Sequence, residues 1–79
     1  MTKLQEKRIE AGFSQSQLSH ACGVGVRVLQ AYEQGVRDIN GVRLSTLLKI
    51  CLALNCLPQD ILTDPETLEL LRAVYHAPE

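Results

Sequence analysis

Residues that end or turn helices recur at short intervals along this chain. Gly12, Gly23 and Gly35 punctuate the first half, and Asn55, Pro58 and Pro65 the second. Between them, apolar residues fall at spacings of three and four, as they do on one face of a helix. A chain cut in this way must build its core from several short helices, so an all-α fold is expected. Its 79 residues suffice for one small domain, and a core of that size buries a modest share of its surface. Phe13, Tyr32 and Tyr75 are the only aromatic residues. Aliphatic side chains must therefore fill the interior.

The expected helices follow from the caps. A first helix spans residues 3–11, with Leu4 and Ile9 on its apolar side, Thr2 as cap and Gln5 in capping-box register. Ser14 caps a second helix over Gln15 to Cys22, with Gln17 three residues on and Leu18 and Ala21 facing inward. Gly23 permits a sharp turn. A third helix runs from Val26 to Gln34, burying Val28, Leu29 and Tyr32 and turning Arg27, Gln30, Ala31 and Gln34 outward. Ile39 plugs the core from the following loop, and Asn40 is expected to cap a short turn. Leu44, Leu47, Leu48, Cys51, Leu52 and Leu54 surround more than half of a fourth helix, which is therefore expected to be central. Pro58 starts a short fifth helix over 58–62. Asp64 caps a sixth, Pro65 begins it, Leu68, Leu71, Val74 and Tyr75 form its stripe, and Pro78 closes it.

The segment SQSQLSHACGVGVRVLQAYEQG, residues 14–35, is a short helix, a glycine turn and a second short helix. With KRIEAGFSQSQL before it and LLKICLALNCLPQDIL after it, the chain resembles the Cro/C1-type, XRE or lambda-repressor-like helix-turn-helix domains. The resemblance covers about residues 4–62. It implies a five-helix domain over 3–62. Residues 64–77 add a C-terminal helix whose apolar face is expected either to fold back on the domain or to pair with a second copy. The resemblance also implies binding to double-stranded DNA, as a homodimer and commonly as a repressor, in the cytoplasm.

That reading assigns roles by position. A major groove admits one helix, with the preceding helix bracing on the backbone. Gln15, with Gln17 beside it, is expected on phosphate at the start of the second helix. Arg27 matches guanine O6 and N7, Gln30 can donate and accept, and Val26 and Ala31 can meet a thymine methyl. The resemblance places Val26, Arg27 and Ala31 toward the bases with Gln30 nearby, and Gln34 toward the backbone. Arg37 and Arg43 flank this surface as phosphate contacts. The resemblance further implies an ion pair between Arg8 and Glu33. Gly25, Val26 and Val28 make the start of the reading helix unusually apolar for such a domain.

Charge supports a divided molecule. The net charge is -1. Residues 1–49 hold Lys3, Lys7, Arg8, Arg27, Arg37, Arg43 and Lys49 against Glu6, Glu10, Glu33 and Asp38. Residues 50–79 hold Arg72 against Asp60, Asp64, Glu66, Glu69 and Glu79. The basic part is expected to face phosphate. Cys22, Cys51 and Cys56 have neither zinc-site nor CxxC spacing and are expected as core fillers, in a reducing compartment. No apolar run reaches the roughly 20 residues that span a bilayer.

No Ser/His/acid set, Cys/His set or phosphate-binding glycine loop is visible, and His20 and His76 lie far apart, so no catalysis, metal or cofactor is expected. The rival to DNA binding is a protein-interaction module, or an antitoxin component with a toxin as partner. A reader needs Arg27, Gln30, Arg37 and Arg43 on one positive surface, whereas an interaction module would expose apolar area there. The dimer contact is expected on Ile61, Leu62, Leu68, Leu71 and Tyr75.

Overall fold

The computed structural model describes residues 1–77. The expected close of the last helix at Pro78 lies outside them. Five helices form: α1 (Lys3–Glu10), α2 (Gln15–Cys22), α3 (Val26–Glu33), α4 (Leu44–Leu54) and α5 (Pro65–Tyr75). Two 3₁₀ turns, Ile39–Gly41 and Pro58–Asp60, join the later ones. The expected fifth helix is thus a single turn, which Asp60 closes by accepting from the Leu57 N–H at 2.9 Å.

Local chemistry sets these boundaries. Thr2 accepts from the Gln5 N–H at the start of α1. Ser14 and Gln17 form a full reciprocal capping box on α2. Gly23 ends α2 at φ 72°, and Gly35 follows α3 at φ 76°. Both lie in the left-handed region that a Cβ disfavours. Among the described residues, Asn55 is the one non-glycine there, at φ 52°. It closes α4 while the Cys56 N–H reaches back to the Cys51 carbonyl at 3.1 Å, satisfying an end group that would otherwise lack a partner.

α2 sits at the centre, packed against both α3 and α4. Leu4, Leu18, Leu29, Ile50 and Ile61 are fully buried, each contributing about 1.5–3 kcal/mol of burial. Cys22 and Cys51 are buried and Cys56 half-buried, all as free thiols. Burial pushes the Cys51 thiol up to about 12, which keeps it protonated and inert.

Burial corrects several expectations. Cys22, not Ala21, shares the inner side of α2 with Leu18, because a spacing of four sits better on a helix face than three here. Ile9 is exposed. α4 is not central. Leu47, Ile50, Cys51 and Leu54 face inward, while Leu44, Leu48 and Leu52 are exposed at 67%, 45% and 83%. Among the described residues, Tyr75 of α5 borders this side in a groove with Leu48 and Leu52 but leaves it largely open. Ile61 and Leu62 cannot form a dimer face, since they are core residues with 0% and 5% exposure.

The link from α3 to α4 is tied to the start of α5. Asp38, rather than Asn40, caps the first 3₁₀ turn by accepting from the Asn40 N–H. The Asn40 amide instead bridges outward. Its Oδ1 accepts from the backbone N–H groups of Thr63 and Asp64, both at 2.9 Å, and its Nδ2 donates to Thr63 Oγ1. Asp64 then caps α5 by accepting from the Thr67 N–H and hydroxyl. Those two bonds hold the Asp64 carboxyl below the usual carboxylate range.

Candidate nucleic-acid interface

The α2–turn–α3 unit is held by a chain of polar contacts that begins inside the protein and ends on its surface. Arg8 on α1 donates from Nε to Glu33 Oε2 at 2.8 Å and from Nη2 to Glu33 Oε1 at 3.0 Å. Its Nη1 donates to the Phe13 carbonyl at 2.7 Å. The two side chains are only 11% and 2% exposed. A planar guanidinium suits this two-point grip on a carboxylate. The expected ion pair is therefore present, and it fixes α3 relative to α1.

The chain continues outward. Gln15 Nε2 donates to Glu33 Oε1 at 3.4 Å, and Gln30 Nε2 donates to Gln15 Oε1 at 3.0 Å. Gln15 and Gln30, singled out in the sequence for separate tasks, are thus brought together. The buried carboxylate orients Gln15, and Gln15 orients Gln30. Gln15 also opens α2, whose first N–H groups have no partner within the helix.

The remaining predicted residues divide into two groups. Val26 begins α3 and is partly exposed, Arg27 beside it is exposed, and Ala31 one turn later is partly exposed. Gln34 is exposed directly after α3. The Arg37 N–H folds back to the Ala31 carbonyl at 3.1 Å, and its guanidinium lies 5.9 Å from the centre of the Tyr32 ring. These contacts hold Arg37 beside the end of α3. Gln17 and Arg43 stand apart. Gln17 Oε1 accepts from the Ser14 N–H at 2.8 Å, so its carbonyl end serves the α2 cap. Arg43 is exposed at the N-terminal boundary of α4, and no side-chain hydrogen bond among the described residues links it to α3.

Residues 3–66 match the family model described as the Cro/C1-type HTH DNA-binding domain. The chain belongs to that family. The match spans most of its length, and the all-helical fold agrees with it. Neither a curated protein nor a solved structure matches significantly. This Cro/C1-type chain is accordingly a DNA-binding domain. Among the described residues, no group of three or more His, Cys, Asp or Glu is gathered to hold a metal. No described helix is long and apolar enough to cross a membrane.

Three bases of the domain's first part are occupied within the protein, which corrects the charge reading. Lys3 Nζ donates to the carbonyls of Gln59 and Leu62 at 2.9 and 2.7 Å. Arg8 is bound to Glu33, and Lys7 pairs with Glu10 at 3.3 Å. Arg27, Arg37, Arg43 and Lys49 remain. Sequence reasoning missed the Lys3 role because its acceptors are backbone carbonyls more than fifty residues away, and carbonyls leave no mark in a sequence.

Proposed function

We propose that this domain binds specific duplex DNA as a homodimer and represses transcription by occupying its site. In this reading α3 enters the major groove and α2 braces on the backbone. Arg27 reads guanine, Gln30 reads a neighbouring base, and Val26 and Ala31 meet thymine methyls. Gln15, Gln17, Gln34, Arg37 and Arg43 hold phosphate.

One observation carries the choice over a protein-interaction role for this surface. None of the large exposed apolar residues among those described lies on α3, while Arg27 does. A helix face that bears one free arginine among small apolar side chains, backed by an oriented glutamine pair, favours base edges over an apolar partner. A small set of contacts of this kind gives modest affinity per domain, which pairing on two half-sites raises.

Selection of bound duplexes from a random pool, with the wild type and with Arg27→Ala, tests the reading. The wild type should enrich a two-fold-related motif. The variant should lose preference at one base position per half-site, a loss worth about 1–3 kcal/mol, while retaining binding at low salt. No enrichment by the wild type at low salt would overturn it.

A further inference from the structure

Two free thiols meet at the C-terminal end of α4. The helix closes on Asn55 in the left-handed region. The Cys56 N–H then reaches back to the Cys51 carbonyl at 3.1 Å, and the Asn55 N–H to the Leu52 carbonyl at 3.3 Å. This paired closure sets the residue after the left-handed one against the residue five places earlier, and an apolar contact commonly joins the two. Here both places hold cysteine. The spacing of Cys51 and Cys56 matches no linear metal motif, yet it is the spacing that this closure brings together.

Both side chains line one groove of about 410 Å³, bordered by Leu48, Leu52, Leu57 and Tyr75. Cys51 is buried and Cys56 half-buried, so a solute reaches the pair through Cys56. Burial raises both thiols, and a hydrogen bond between them adds to the rise at Cys51 and opposes it at Cys56. Asp60 disfavours negative charge on either sulfur, and Lys7 favours it on Cys56.

Among the described residues, no third His, Cys, Asp or Glu is gathered with the pair. A structural zinc site needs four ligands, so this is not one. Soft sulfur ligands suit soft cations such as Cu(I), and two of them side by side suit an ion satisfied by two. Separation points the same way. A disulfide draws its sulfurs to about 2 Å, well inside the hydrogen-bonding separation of two thiols. A cation held in line between two sulfurs keeps them about 4.6 Å apart, taking roughly 2.3 Å for each metal–sulfur bond as in zinc thiolates.

We propose that Cys51 and Cys56 form a binding site for a soft monovalent cation of the Cu(I) class, held between the two sulfurs. As the ion enters, each S–H bond gives its proton to solvent and each sulfur forms one bond to the ion. No electron is transferred. Coordination deprotonates a thiol outright, so the proton that keeps Cys51 inert in the free chain does not bar the ion.

Anaerobic titration of the reduced full chain with Cu(I), against a chromogenic Cu(I) chelator, tests the proposal. The wild type should bind one ion per chain, and native mass spectrometry should show a gain of one copper less two protons. Cys22→Ala should bind equally well. Cys56→Ser and Cys51→Ala should each lose more affinity than the roughly 10–100-fold that removing a partner outside the ligand shell costs. One equivalent of Cu(I) should raise the unfolding temperature of the wild type and of Cys22→Ala, because an ion that binds the folded chain stabilises it, and should leave that of Cys56→Ser unchanged. Undiminished affinity in Cys56→Ser, loss of the site in Cys22→Ala with helix content intact, or a wild-type unfolding temperature indifferent to Cu(I) would overturn the proposal.

Discussion

At the level of single residues, the Arg8–Glu33 pair governs how α3 is presented. Both charges have left water, so their attraction chiefly offsets the cost of burial and specifies one geometry. Arg8→Ala leaves a buried carboxylate without its cation and the Phe13 carbonyl without its donor. A loss of about 3–5 kcal/mol is expected in urea unfolding. Replacing both partners by apolar residues, Arg8→Met with Glu33→Leu, should cost much less than Arg8→Ala alone. That double variant should nevertheless bind DNA less well, because Gln15 loses the acceptor that orients it toward Gln30. A double variant as unstable as the single one would sink this account. The pair was legible in the sequence through the family resemblance. The Gln15–Gln30 bond was not, although both residues were singled out, because neither glutamine shows in sequence which side-chain rotamer it adopts.

At the level of elements, caps and turns were the most legible part of the chain. Ser14, Gly23, Gly35 and Asp64 each act where local chemistry demands, since a cap or a left-handed residue is chosen by its immediate neighbours. Gly23→Ala should therefore cost about 1–2 kcal/mol, with no Cβ clash to blame since the space around Gly23 is open. Helix faces were less legible. The leucines of α4 run nearly all the way round, and only tertiary packing decides that Leu47 and Ile50 turn in while Leu48 and Leu52 turn out.

The α5 start combines both kinds of information. Asp64 was readable as a cap, but its attachment through Asn40 depends on a loop more than twenty residues earlier. Asn40→Ala should release the Thr63 and Asp64 N–H groups, costing about 1–2 kcal/mol and speeding their hydrogen exchange. The Asp64 carboxyl titrates below its unfolded value because Thr67 hydrogen-bonds the charged form. Its stabilisation is thus present above about pH 4, the unfolded range, and is lost as pH falls through the lower folded value. Circular dichroism from pH 5 downward should show α5 fraying over that acid interval. Asp64→Asn should cap equally well at both ends of it and abolish the pH dependence. Fraying that persists unchanged in Asp64→Asn would place its origin elsewhere.

At the scale of the whole molecule, the question is which positive charges DNA can use. Counting bases in the sequence overstates them, because Lys3 and Arg8 are spent inside the fold and Lys7 faces Glu10. Arg27 is assigned to a base, and Arg37 and Arg43 are the phosphate contacts of this reading. A dimer would then neutralise four phosphates, and log affinity against log salt should fall with a slope of about −3.6. Arg43→Ala should reduce that slope by about 1.8 in the dimer, one contact being lost per subunit. Lys3→Ala should lower thermal stability, since two carbonyls at the end of the second 3₁₀ turn lose their donor, yet leave the slope alone. The Lys3 and Arg43 variants remove the same formal charge, so net charge alone predicts one common effect for both. Equal slopes for Lys3→Ala and Arg43→Ala would mean that overall charge governs binding, whereas a difference of nearly two would mean that the fold has already sorted its bases into structural and DNA-facing sets.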